Sequence, residues 1–411
     1  MPRPAPLTTF TISYGGVSLI NDPAALTPVF IGYAPSGGIL VTSTTLISSG
    51  GVITGSQTTS SYIANELIPG AALTYERLGI DPETDLSVEG MSAGLASGGW
   101  VTSNPLGMAY YAAIQTGSTD FYVMATSDTT STATINAMSK AAKSENSYSL
   151  VPVVQNAVIV TEGKKIISAY SNPKKAQNKR LWVYAQTNGD STASDLVAQT
   201  ISGAQTMRSG NDYPERINYV FAENNTVAGL PCSNAQYIVP VLATMRANTA
   251  PHAPLTDVPI PGVSIADSVG FTEDQYKSMN NAGVWVCFKD ERGENVTRHA
   301  VTTCVDDTIA MEDSAVSNAD NIVRTVRSQV SWLRGNCNVT PALIDKIYAN
   351  VQAAFNSILA RNYSALIGPQ ILEVKSVKVE QDPNDTAGVI GTFDLDLPDV
   401  YLYGDFTFNL F

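Results

Sequence analysis

Short apolar runs separated by amphipathic stretches fill the middle of the chain, whereas strict alternation of apolar and polar positions marks its two ends. Residues 27–34 are an apolar run stopped by Pro35, Gly37 and Gly38, and 39–43 is a second. From Asn104 the texture becomes regular. Asn104 caps and Pro105 opens a helix to about residue 115, which Gly117 ends before a strand at 120–125. Helices at 131–144, 162–170, 193–207 and 233–246 then alternate with strands at 149–154, 180–185 and 217–221. Strands written as continuous apolar runs are covered on both faces, and helices between them make the sheet mostly parallel. Two stretches rich in Gly, Ser and Thr, 48–61 and 87–103, read as surface loops.

Four prolines between 250 and 261 break the alternation, so a domain boundary is expected at about 262. Beyond it come strands at 283–288 and 295–303 and a helix capped by Ser317 or Asn318 that Gly335 stops. Thr340 and Pro341 open a further helix to about 361. Its apolar positions Leu343, Ile344, Ile347, Val351, Phe355, Ile358 and Leu359 form one stripe. Strands at 371–379 and 387–397 follow. The fold class expected is therefore α/β and α+β: an α/β domain with a mostly parallel sheet over 23–262, an α+β domain over 263–397, and strand-forming arms at 1–22 and 398–411.

The arms carry the alternation. Phe10, Ile12 and Tyr14 lie opposite Thr9, Thr11 and Ser13, after a leader with Pro2, Pro4 and Pro6. At the other end Phe393, Leu395 and Leu397 alternate with Asp394 and Asp396, and after Pro398 the pattern resumes as Phe406, Phe408 and Leu410 between Thr407 and Asn409. An apolar terminal strand aggregates unless something pairs with it. Each arm either completes a sheet of its own chain or adds a strand to another subunit.

Composition narrows the partners. A net charge of -13 and a pI near 4.6 argue against nucleic acid or an anionic membrane. One basic cluster, Lys164, Lys165, Lys174, Lys175, Lys179 and Arg180, reads either as a solvated helix face or as a patch for an acidic neighbouring subunit. No apolar stretch is long enough to span a bilayer, and the N-terminus lacks a signal layout, so synthesis in a cytosol without membrane insertion is expected. Cys232, Cys287, Cys304 and Cys337 have no CxxC spacing, which makes free thiols the expectation. Cys232 and Cys337, in loop-like contexts, are the candidates for a disulfide formed outside the cell.

The chain has no phosphate-binding loop, dinucleotide fingerprint or paired-histidine metal helix, so no cofactor or metal is expected. Gly90-Met91-Ser92-Ala93-Gly94 fits the nucleophile elbow of a serine hydrolase. That elbow requires a following helix, which Gly98 and Gly99 interrupt, and the only histidines are His252 and His299. A glycine-rich loop is the reading favoured. Asp306, Asp307, Glu312 and Asp313 match no calcium loop and read as a solvated connection. Cys304 and His299, five residues apart across a strand, face opposite sides and cannot share a proton. No catalytic residue is assigned.

Taken in order, these segments resemble contractile tail sheath proteins of bacteriophages and related injection machines. Val29-Phe30-Ile31-Gly32-Tyr33-Ala34, Gly38 and Leu40-Val41-Thr42-Ser43 resemble the family's opening strand, turn and second strand. The elements at 105–125 match the next ones. Residues 237–262, with Ala243, Arg246, Ala247, Pro251, Pro254 and Pro261, are similar to its loop after a helix. Asn280-Asn281-Ala282-Gly283-Val284 resembles its turn into a strand, and Asp382-Pro383-Asn384-Asp385-Thr386-Ala387-Gly388 its ending. Gly50-Gly51 stands where the family has Phe-Gly, and the strand at Phe121 lacks an arginine often found at its end.

The resemblance implies a homo-oligomer of hexameric rings stacked helically around a tail tube protein, with baseplate and terminator proteins at the ends. Such a sheath is assembled in the host cytoplasm into a virion and contracts to drive the tube through a cell envelope. It places the arms, with Phe10, Ile12, Tyr14, Tyr401, Tyr403, Phe406, Phe408 and Leu410, in strand addition to neighbours. It makes the α/β part outer and the C-terminal part inner. The tube then meets either the helix over 318–333, with Arg324 and Arg327, or the helix over 340–361.

Overall fold

The computed structural model describes residues 26–49, 52–87, 90, 99–171, 178–187, 192–232, 234–333, 337–361, 367–381, 383 and 389–398. The first strands among the described residues are β1 (Pro28–Tyr33), β2 (Ile39–Ser49), β3 (Val52–Ile63) and the short β4 (Ile68–Pro69). Helix and strand then alternate through α1 (Pro105–Ala113), β5 (Tyr122–Thr126), α2 (Ser131–Lys143), β6 (Ser149–Pro152), α3 (Ala157–Ser171), β7 (Arg180–Tyr184), α4 (Ala193–Arg208) and β8 (Ile217–Phe221). After β9 (Asn225–Val227), β10 (Leu230–Cys232), α5 (Ile238–Asn248), β11 (Val263–Ile265) and α6 (Glu273–Asn281) come β12 (Trp285–Lys289) and β13 (Asn295–Thr297). Then follow α7 (Asp313–Val330), α8 (Pro341–Leu359), β14 (Glu373–Gln381) and β15 (Val389–Asp396).

Eight strands form one sheet in the order β13-β12-β8-β7-β6-β1-β5-β4, parallel except at its two edges. This is the mixed α/β architecture the apolar runs indicate. Successive residues of β1 point to opposite faces, and both faces are dry. Phe30 joins a core under α1 and α5, while Val29 and Ile31 join another under α2, α3 and α4. Trp182 and Trp285, from β7 and β12, pack 5.1 Å apart between ring centroids in the first core. Burying aromatic rings of this size is the largest single apolar contribution such a sheet can gather.

Local chemistry sets the helix ends. The Asn104 carboxamide oxygen accepts from the Gly107 N–H at 2.9 Å and its amide donates to the Leu78 carbonyl at 2.6 Å, so one buried side chain caps α1 and ties it to the preceding turn. Gly117, at φ 76°, takes the left-handed conformation that ends that segment. Thr130, Thr192 and Thr340 cap α2, α4 and α8, and Thr272 with Gln275 forms a reciprocal capping box on α6.

Several sequence expectations need correction. Residues 39–49 and 52–63 form a long antiparallel pair running from Ile39↔Ile63 to Ser49↔Val52 with a register shift between Ile47 and Ser48, where a loop was expected over 48–61. Thr44, Thr45, Ile47, Val52, Ile53, Thr58 and Thr59 are β-branched, and their preference for extended backbone outweighs the Ser and Gly between them. The Pro-rich stretch before 262 does not close the sheet: β12 pairs in parallel with β8, so the sheet runs on past it. Prolines break local structure, but Val220 and Phe221 still present a strand edge for Trp285 and Val286 to join. The helix expected from Ser317 begins at Asp313.

The C-terminal part has its own core. Ile322 and Val326 of α7, Val351, Phe355 and Ile358 of α8, and Ile371 cluster with Val374, Val377, Phe393 and Leu395 of the β14–β15 hairpin. The hairpin thus lies on one face against α8 and is exposed on the other, as Glu373, Lys375, Lys378 and Glu380 indicate.

Candidate functional site

Asp313, Ser317, Asp320, Arg324 and Arg327 recur along α7 at spacings of four and three, which places them on one helix face. That face meets the sheet. Asp313 is fully buried and its carboxylate accepts from the Arg180 guanidinium and from Asn218 Nδ2 at 2.9 Å, with Arg246 Nη1 at ion-pair distance, 3.5 Å, from its other oxygen. Arg180 also donates to Ser317 Oγ at 3.1 Å. Arg246 donates to the Ala253 carbonyl at 2.8 Å and to the Ala250 carbonyl. Two turns further, Asp320 accepts from the Tyr148 hydroxyl at 2.6 Å and from Arg216. Arg324 lies 5.5 Å from the Tyr148 ring centroid and donates to the Glu145 carbonyl at 2.8 Å, while Arg327 reaches Glu145 Oε1 at 3.3 Å.

The electrostatics follow from burial. Desolvation works against the Arg180 charge, but Tyr148, Asp313 and Asp320 outweigh it and raise the pKa, whereas burial wins at Arg246 and lowers it. Asp313 is therefore mainly the partner of Arg180, consistent with the longer approach of Arg246. Burial also pushes the Tyr148 hydroxyl well above the usual tyrosine range, so it keeps its proton and donates a hydrogen bond to Asp320. Lys179, wholly buried, donates to the Ser144 carbonyl at 2.6 Å and to Ser147 Oγ at 3.0 Å at the C-terminal end of α2. Burial, with Arg324 and Arg327 nearby, drives its pKa well below the usual lysine value.

These placements revise the residue expectations. Arg324, expected at a tube-facing surface, is 5% exposed and turned into the sheet domain, and Arg327 is held by Glu145. Asp313 is buried rather than solvated. Asp307 caps the short helix Thr308–Met311, and Glu312 pairs with His299 at 2.7 Å. Of the basic cluster, Lys179 and Arg180 are core residues and Lys164 caps the end of α4 through the Thr206 and Ser209 carbonyls, so they form no common patch. Lys174 and Lys175 lie outside the described residues, as do Ser92 and both arms.

The four cysteines are free. Of the two disulfide candidates Cys337 is exposed and Cys232 half-buried, and burial pushes the Cys232 thiol up to about 12. His252 is buried and its Nε2–H donates to the Gly368 carbonyl at 3.0 Å. Among the described residues no side-chain cluster could hold a metal ion, and no helix is long and apolar enough to cross a membrane.

A second feature is the β14–β15 hairpin. Val374↔Leu395 and Val377↔Phe393 put the apolar pairs on the α8 side, while Leu372 and Ile390 are exposed beside it. Among the described residues each strand pairs only with the other, leaving an open edge on both sides.

No family model matches the chain, and no curated protein matches it in sequence. Solved structures match it along nearly its whole length. The anti-feeding prophage helical sheath in its contracted state has a TM-score of 0.57 at 14% identity, covering 97% of this chain and 99% of that one. The contracted PVC sheath complex of an extracellular contractile injection system gives 0.56 at 12%, covering 97% and 98%. A sheath tail protein from Desulfitobacterium hafniense gives 0.54 at 8%, covering 95% and 100%. The likeness is one of fold: the chain folds as contractile sheath proteins do.

Proposed function

We propose that this chain is the structural subunit of a contractile sheath, either of a phage tail or of a phage-derived injection machine. Copies stack as hexameric rings around a tail tube, bounded by baseplate and terminator proteins, in a particle assembled in the host cytoplasm. Contraction drives the tube through a cell envelope. The single observation that carries this reading is the end-to-end fold likeness to sheath subunits in a contracted lattice.

The hairpin supplies the assembly chemistry. Its open edges accept strands from neighbouring subunits, and the alternating arms at 7–14 and 400–411 are the strands supplied. Phe10, Ile12 and Tyr14 on one arm, and Tyr401, Tyr403, Phe406, Phe408 and Leu410 on the other, set the register. At about 1 kcal/mol net per backbone hydrogen bond, each arm contributes several kcal/mol, repeated through the lattice. The work is mechanical, with energy stored in interfaces between rigid bodies.

With Arg324 turned inward, the exposed face of α8, including Asp345, Lys346 and Tyr348, is the tube-facing surface. Electron microscopy of the purified protein, alone and with its tube protein, tests the reading. Hollow striated tubes with six-fold cross-sections are expected; uniform small particles under both conditions would contradict it.

A further inference from the structure

The buried contact between α7 and the sheet domain is made largely by charged and polar side chains, whereas the two faces of the sheet carry apolar cores. We propose that this stripe is a coupling latch: it fixes the angle at which the α7–α8 pair and the β14–β15 hairpin leave the sheet, and it can open while both parts stay folded.

Three observations carry the inference. The core of the C-terminal unit, centred on Ile322, Val326, Phe355 and Ile358, shares no residue with either core of the sheet, so each part keeps its own apolar packing if the contact opens. The contacts across the junction are directional: Arg180 and Asn218 on Asp313, Arg216 and Tyr148 on Asp320, and the Glu145 backbone and carboxylate on Arg324 and Arg327. Such groups pair in a single register, because a slide of one turn along α7 moves each buried carboxylate away from its arginine. The backbone leading into the stripe is also zipped by hydrogen bonds, with Thr302 N–H donating to the Met311 carbonyl at 2.8 Å and Asp313 N–H to Ala300 at 3.1 Å. A polar junction of this kind contributes little net stability but discriminates sharply between orientations. The C-terminal unit therefore has one seated position and an opened state, with no ladder of intermediates.

The inference concerns the isolated chain and stands or falls apart from the sheath reading. Hydrogen exchange on the full-length monomer, comparing wild type with Asp313→Asn, measures it. Amides of α7 and α8 are expected to lose protection by about tenfold or more while those of β6, β7 and β8 change little. Equal loss in sheet and helices would overturn the latch by making Asp313 an ordinary support of one core, and so would no change in either. Should Asp313→Asn fail to fold, Asp320→Asn, which removes the charge facing Arg216 and keeps an acceptor for Tyr148, is read by the same criterion.

Discussion

The two faces of the eight-stranded sheet and the face of α7 that docks against it are equally dry and chemically opposite. On the sheet, Trp182, Trp285, Phe30 and Ile31 are fully buried against apolar neighbours. On α7, Asp313 and Asp320 are just as inaccessible and face arginines. Apolar burial is non-directional and supplies most of the driving force for folding. Buried ion pairs give back in attraction roughly what desolvation costs, so their product is geometry. The difference teaches that this chain is held folded by its sheet and held in shape by its junction.

The comparison can be broken most strongly at the aromatic pair. Trp182→Ala should cost about 3–5 kcal/mol and lower the stability of sheet and helices together, seen as one shifted urea transition by fluorescence and circular dichroism. A loss confined to α7 and α8 would reverse the roles assigned to the two regions. Asp313→Ala should cost about 3 kcal/mol, because Arg180 stays buried without its carboxylate. Replacing Asp313, Arg180 and Arg246 together by Leu, Met and Met should recover most of that stability in the same assay. Failure of that recovery would mean that the junction supplies strength as well as geometry.

Smaller changes sharpen the boundary. Thr340→Ala removes the hydroxyl that accepts from Leu343 N–H and should cost about 1 kcal/mol, with exchange increased in α8 and not in the sheet. The smallest effect concerns His252, whose pKa burial lowers despite the hydrogen bond to Gly368. A base with a lowered folded pKa binds fewer protons folded than unfolded. Stability is then fully present above the usual histidine value of about 6.5 and declines as pH falls toward the folded pKa. Thermal melts from pH 7 to 5 should show that decline, and His252→Gln should reduce it.

Much of the sheet was legible because its determinants are local. Ile217–Phe221 is a strand at the bounds its apolar run indicates, and Asn104-Pro105 and Thr340-Pro341 begin helices where capping chemistry places them. The hairpin of β2 and β3 was hidden by composition, since Ser and Gly signal loops even where Thr, Ile and Val hold the backbone extended. The junction was hidden by distance. Arg180 and Asp313 are 133 positions apart, and nothing in either neighbourhood names the other. The spacing of Asp313, Ser317, Asp320, Arg324 and Arg327 was visible, but a charged helix stripe ordinarily faces water, so it points to a solvent or partner surface. Only the arrangement of β7 and β8 at α7 turns it inward.

The central claim, that a two-part subunit is joined into a lattice by its terminal strands, is tested most directly by removing residues 400–411. Sedimentation and electron microscopy of the intact and truncated chains would be compared alongside their thermal unfolding. The account predicts tubes from the intact protein, and from the truncated one a dispersed species with an unchanged melting temperature. Tubes formed equally well without those residues would contradict it.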